Sequence, residues 1–310
     1  MEQTDMIEQS ANSSVGVNTV PLVIPASEKR TGDILLPQAG NGGCSCGRSI
    51  ASSNPSAYVY ALGRIGWRLG SPSVEKELAQ AMGRTETAGL TDRQAIHAVL
   101  SQRQNRYLVR QLCWILTIEG LETYILQPRD PADLDLLVET IRANPSPIDL
   151  DVVIGVRRPI APPELCNGLM IPVVMFDQIY SFDRNTLLQS IPRPEDMAEE
   201  QFRTASEEVF DRIMQIADNV GATDEHRALN YLAVRYPALY ATVAEAHRRS
   251  SSLTAVEARP SRLSSTRKIV DVIFSFTNRG TDVTEKYFVR VDVTEAFPFL
   301  VTKMSPYYDR

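Results

Sequence analysis

The stretch Val270-Asp271-Val272-Ile273-Phe274-Ser275-Phe276-Thr277-Asn278-Arg279-Gly280, followed by Lys286-Tyr287-Phe288-Val289-Arg290-Val291-Asp292-Val293, sets the architecture of the C-terminal third. Val270, Val272, Phe274 and Phe276 recur with a period of two, as do Tyr287, Val289, Val291 and Val293. Successive side chains of a strand point to opposite faces, so this period predicts two strands with one apolar face each. Asn278-Arg279-Gly280 supplies the turn between them. The reading is an antiparallel hairpin with one face buried and one open to water.

Upstream the period changes. Phe202, Val209, Ile213, Ile216 and Val220 recur at spacings of three and four, predicting one long amphipathic helix with Gly221 as its stop. Thr223 is placed to cap a second helix running to Val234, and Pro237 to open a third running to His247. Residues 195–310 are therefore expected to form an α+β domain, a three-helix layer packed on an antiparallel β-hairpin sheet.

Pro192-Arg193-Pro194 marks the expected boundary with a first α+β domain, residues 57–194. There a strand is predicted from Tyr58 and a helix over 72–82 that Gly83 stops. Thr91 caps a further helix carrying Ala95, Ile96, Val99 and Leu100. Leu112–Ile118 and Thr123–Leu126 flank Glu119-Gly120 as a hairpin, and Leu134, Leu137, Val138 and Ile141 recur at helical spacing after Pro131. Strands follow at Val152–Val156 and Met170–Tyr180, then a short helix near Asn185–Ile191.

Residues 1–56 are rich in Ser, Asn, Gly and Pro and lack periodicity, so a disordered arm is expected there. The arm carries Cys44 and Cys46; Cys113 and Cys166 are the other cysteines. A C-x-C spacing is too tight for an easy mutual disulfide, and so sparse a set fits a reducing, cytoplasmic compartment. A net charge of -6 argues against a general nucleic-acid binder, which needs a basic face. No apolar run reaches the roughly 18 residues of a membrane helix, and the N-terminus lacks a basic region followed by an apolar one, so neither a membrane partner nor a signal peptide is expected.

The C-terminal third also has distinctive wording. It includes Thr223-Asp224-Glu225-His226-Arg227-Ala228-Leu229-Asn230-Tyr231, Arg259-Pro260-Ser261-Arg262-Leu263, Glu285-Lys286-Tyr287-Phe288-Val289-Arg290-Val291-Asp292-Val293 and Ser305-Pro306-Tyr307-Tyr308-Asp309-Arg310. This resembles the C-terminal domain of unknown function of cyanobactin maturation proteases of the patellamide macrocyclase type. The stretch before residue 195 resembles, more loosely, the region preceding that domain. The resemblance implies a place in the maturation of ribosomally made peptides. The family's protease domain carries its serine in a Gly-Thr-Ser-Met stretch, and these 310 residues contain none. No catalytic residues are assigned.

Two groups of candidate site residues remain. Arg259, Arg262, Arg267 and Lys268 make a local basic loop in an acidic chain. They are candidates for holding an anionic partner, and the resemblance suggests an acidic leader peptide. Cys44, Cys46 and His226 are candidate zinc ligands, two thiolates being half of a tetrahedral site. The simpler reading of His226, with Asp224 and Glu225, is a helix first turn complementing the dipole. The aromatics Tyr287, Phe288, Phe297, Phe299, Tyr307 and Tyr308 are expected to be mostly core.

Three functional readings follow. The first is a non-catalytic protein that binds a precursor peptide or a peptide-modifying enzyme, by strand addition at the hairpin edge and charge at the basic loop. The second is a zinc-dependent or otherwise unrecognised enzyme of the same pathway. The third is a structural module forming a homo-oligomer. The cofactor expectation is accordingly none, or zinc.

Overall fold

The computed structural model describes residues 57–308, except 85–88, 192, 194–196 and 217. The expected arm, with Cys44 and Cys46, lies outside the described residues. The α+β class is as read: eight helices and nine strands are arranged in two sheets among the described residues.

The first sheet closes on itself. Strands β1 (Tyr58–Leu69), β2 (Leu112–Ile118), β3 (Leu121–Pro128), β4 (Asp149–Ile160) and β5 (Pro172–Asp183) form a barrel in the order β1-β2-β3-β5-β4. All neighbours are antiparallel except β3 and β5. Closure, which removes sheet edges, was not legible from the separate strands. Gly155 permits it locally: it sits at a register shift between β4 and β5, where a Cβ would come within 2.3 Å of the Met175 carbonyl oxygen.

Alternation along the strands sorts two cores. Val59 and Ala61, Trp114 and Leu116, Tyr124 and Leu126, Val153, and Val174 and Phe176 come from all five strands. They therefore line the barrel, and they pack with α1 (Pro72–Arg84), α2 (Asp92–Leu100), α3 (Arg106–Gln111) and α4 (Leu134–Glu139). The capping box expected at Thr91 is present, its hydroxyl accepting from Gln94 N. The outward set of β1 and β4 (Tyr60, Leu62, Val152 and Ile154) joins a second core with α5 (Arg184–Gln189), α6 (Glu199–Met214), α7 (Asp224–Arg235) and α8 (Pro237–Arg248).

That second core also contains Val270, Val272, Phe274, Phe276, Val289, Val291 and Val293, the period-two set. Each fully buried side chain of this size contributes about 1.5–3 kcal/mol. β7 (Ile269–Asn278) and β8 (Thr284–Asp292) are the expected hairpin strands, but they are the inner pair of a four-stranded sheet β6-β7-β8-β9. The added strands are β6 (Ser251–Pro260) and β9 (Phe299–Pro306). β6 lies where the sequence reads as a connection from helix to hairpin. Both strands are irregular in register, at Leu253/Ala255 in β6 and opposite Phe288/Arg290 and Arg290/Val291 in β9, which scrambles the alternation that marks a strand.

The predicted role of Gly221 is corrected. α6 ends at Met214. Gly221, at φ +69°, instead lies against β1, where a Cβ would approach the Tyr60 carbonyl oxygen to 2.3 Å. No helix of the described residues is long and apolar enough to cross a membrane.

Candidate functional site

The β6–β7 connection, residues 261–268, is folded rather than loose. Ser264 Oγ donates to Ile269 O at 2.9 Å and accepts from Ile269 N at 3.0 Å, and Ser261 N donates to Ile269 O at 2.8 Å. The connection lies beside the β8–β9 connection. Val293 N donates to Lys268 O at 2.8 Å, and Lys268 N donates to Thr294 Oγ1 at 2.8 Å.

Buried Arg227 on α7 ties this end together. It pairs with Asp224 at 3.3 Å, donates to Val293 O at 2.7 Å, and also donates to the carbonyls of Glu295 and Ala296. Its arginine identity fits the task, since a planar fork can serve several acceptors at once.

The four basic candidates meet different partners. Arg267 pairs with the buried Asp292 and lies 5.3 Å from the Phe299 ring centroid. Burial pushes the Asp292 carboxyl up, but Thr294 and Arg267 outweigh it and hold the group below its ordinary value. Lys268 Nζ is 3.0 Å from Asp224 Oδ2. Arg259 donates to the Tyr307 hydroxyl and stacks 5.3 Å from its ring. Arg262 is exposed, with no charged partner among the described residues. Arg267 and Lys268 thus have their charges opposed locally by Asp292 and Asp224.

Arg259 lies on the face of the sheet that carries its register partner Asp271, where Asp271, Ile273 and Ser275 of β7 are buried. Arg290 there contacts Asp271 at 3.0 Å and lies 4.7 Å from the Phe288 ring, while Phe288 and Tyr307 meet edge to face at 5.7 Å. The expectation that the aromatics are mostly core is corrected. Phe297 is 42 %, Phe299 47 % and Tyr308 78 % exposed, beside Leu263 at 61 %. Of these exposed groups, Phe299 has a cation against its ring, Arg267. Guanidinium groups stacked on rings keep their N–H edges outward for carboxylates.

The hairpin edges are not free for strand addition, because β6 covers β7 and β9 covers β8. The sheet's own edges are β6 and β9, whose register shifts and terminal prolines, Pro260 and Pro306, are features that blunt an edge.

His226 sits in the first turn of α7, which Thr223 caps by accepting from His226 N at 3.1 Å. Its Nδ1 is buried without a hydrogen-bond partner among the described residues. Burial lowers the imidazole pKa, against the opposing pull of Glu225 and Asp218. Among the described residues no group of three His, Cys, Asp or Glu is arranged to hold a metal ion; the expected partners Cys44 and Cys46 fall outside them.

One pairing carries no local signal in the sequence. Cys113 of β2 and Cys166 of the β4–β5 connection form a disulfide across 53 residues.

Residues 196–307 match the family model described as PatG C-terminal, in agreement with the resemblance seen in the sequence. A solved structure titled "PatG Domain of Unknown Function" is similar over 81% of this chain and 99% of its own, with a TM-score of 0.66 and 22% identity. At that identity the likeness shows a shared fold. No curated protein matches.

Proposed function

We propose, taking residues 196–307 as a PatG C-terminal domain, that the chain is an accessory, non-catalytic protein of a cyanobactin-like pathway that binds an acidic precursor leader peptide. The observation that supports this most is the pairing of uncommitted cations with uncovered apolar groups. Arg259 stacks on Tyr307, Arg262 precedes the exposed Leu263 in the chain, and exposed Phe299 lies under Arg267. An acidic peptide with interspersed apolar residues satisfies both halves of that surface. A cytoplasmic location fits such a role. A peptide-modifying enzyme or a second copy of the chain are the other partners considered.

The test is a titration of purified, metal-free protein with a fluorescently labelled acidic leader peptide. Saturable one-to-one binding supports the reading, and no binding of the free leader or of the leader joined to its core contradicts it.

A second reading, zinc held by Cys44, Cys46 and His226, draws on the unpartnered, neutral-favouring Nδ1 of His226. Stoichiometric metal in the purified protein, lost in Cys44→Ser/Cys46→Ser, supports it; wild type without bound zinc after zinc loading contradicts it.

A further inference from the structure

At the barrel end, between β2, β3, α1 and α3, is an open cleft of about 750 Å³. Glu77, Arg110 and Gln127 contribute to its rim, and both Cys113 and Cys166 line it. One wall is the connection 161–171, which holds Glu164, Leu165 and Cys166 against the cleft.

That connection is held in an unusual shape. Cys166, Asn167 and Gly168 follow one another at φ +56°, +54° and +84°. Residues with side chains reach this left-handed region at a cost, so surrounding contacts must impose it. Those contacts are few. Pro162, Pro163, Glu164, Asn167, Gly168 and Met170 are exposed. The segment packs through a small separate cluster in which the disulfide joins Ile125, Ala161 and Val173. Cys113 is fixed within the barrel ladder, paired to Arg68 of β1. Cys166 is not in a strand, so it is the partner free to leave.

We propose that Cys113–Cys166 is a reducible latch that fastens the 161–171 connection over the cleft, and that thiol–disulfide exchange with a dithiol reductant opens it. One thiolate of the reductant attacks a sulfur lining the cleft, and its second thiol resolves the mixed disulfide. The Cys113–Cys166 bond breaks, two protons and two electrons pass to these sulfurs, and the reductant closes its own disulfide. The left-handed residues then relax, and the apolar floor around Ile125 and Val173 becomes available to a ligand. In a reducing compartment a bond of this kind is a switch rather than a staple. This inference is independent of the peptide-binding surface.

The test uses the full chain, oxidised or treated with dithiothreitol, with cysteine alkylation mapped by peptide mass and amide hydrogen exchange read at short times. Reduction is expected to expose Cys113 and Cys166 to alkylation. Amides of 164–170 should then exchange at least tenfold faster, with β1 and β4 still protected at the same times. The Cys113→Ser/Cys166→Ser variant should show the same opening without reductant. The proposal is overturned if dithiothreitol leaves the bond intact in the native protein, if 164–170 exchange equally in both forms, or if the whole barrel loosens. A double variant that cannot fold also overturns it, because the bond is then a structural staple.

Discussion

Asn230 Nδ2 donates to the carbonyl oxygen of Tyr60 at 2.8 Å, joining α7 to the first strand of the barrel across 170 residues. Asn230 is itself held by Asn219, whose Nδ2 donates to Asn230 Oδ1 at 2.7 Å. Next to this pair Tyr60 N donates to Gly221 O at 2.9 Å. The end of β1 is thus satisfied by the C-terminal half, and Tyr60 and Leu62 enter that half's core.

Asn230→Ala removes the amide and leaves the buried Tyr60 carbonyl and Asn219 without this partner. The expected loss is about 1–3 kcal/mol, the cost of an unsatisfied buried polar group. Denaturant unfolding measures it; an unchanged midpoint removes this contact from the account.

Ile213 is fully buried on α6 in the same core as Phe274 and Val291. Ile213→Asp places a carboxylate among apolar groups with no partner, which is expected to cost on the order of 3 kcal/mol or more. A melting temperature equal to that of wild type contradicts this placement.

The folded state disfavours protonated His226, so its pKa lies below that of the unfolded chain. The linked stability is full above the unfolded value of about 6.5 and is lost as the pH falls from there through the folded pKa. His226→Gln is expected to reduce the drop in melting temperature between pH 7.5 and 5.5. The same drop in both proteins shows that groups other than His226 set the stability over this pH range.

Much of this molecule was legible because burial and periodicity agree. Val270, Val272, Phe274 and Phe276, like Tyr287, Val289, Val291 and Val293, keep a period of two in the sequence, although β7 is buried on both faces, with Asp271, Ile273 and Ser275 also covered. The capping roles of Thr91 and Thr223 are local chemistry, readable without tertiary context. β6 and β9 were hidden by register shifts that break the period of two, and Phe299 and Val301 face solvent where apolar residues suggest core. Barrel closure and the Cys113–Cys166 bond are long-range facts that no local pattern encodes. The basic cluster was visible in the sequence, but its division was not. Only the fold brings Asp292 to Arg267 and Asp224 to Lys268, and it gives Arg259 and Arg262 no such carboxylate among the described residues.

That division makes Arg259 and Arg262 the decisive pair, because Arg267→Glu would set two carboxylates together at the buried Asp292. Single exposed charge pairs are worth only about 0.2–1 kcal/mol, so both must be reversed. The measurement is titration of an acidic leader peptide into wild type, Arg259→Glu/Arg262→Glu, and a charge-matched control, Arg158→Glu/Arg203→Glu, at low and high salt. The account predicts roughly tenfold weaker binding for the Arg259/Arg262 variant alone, with wild-type affinity falling as salt screens exposed charges over about 10 Å at 0.1 M. Equal, salt-independent affinities for all three proteins would contradict it.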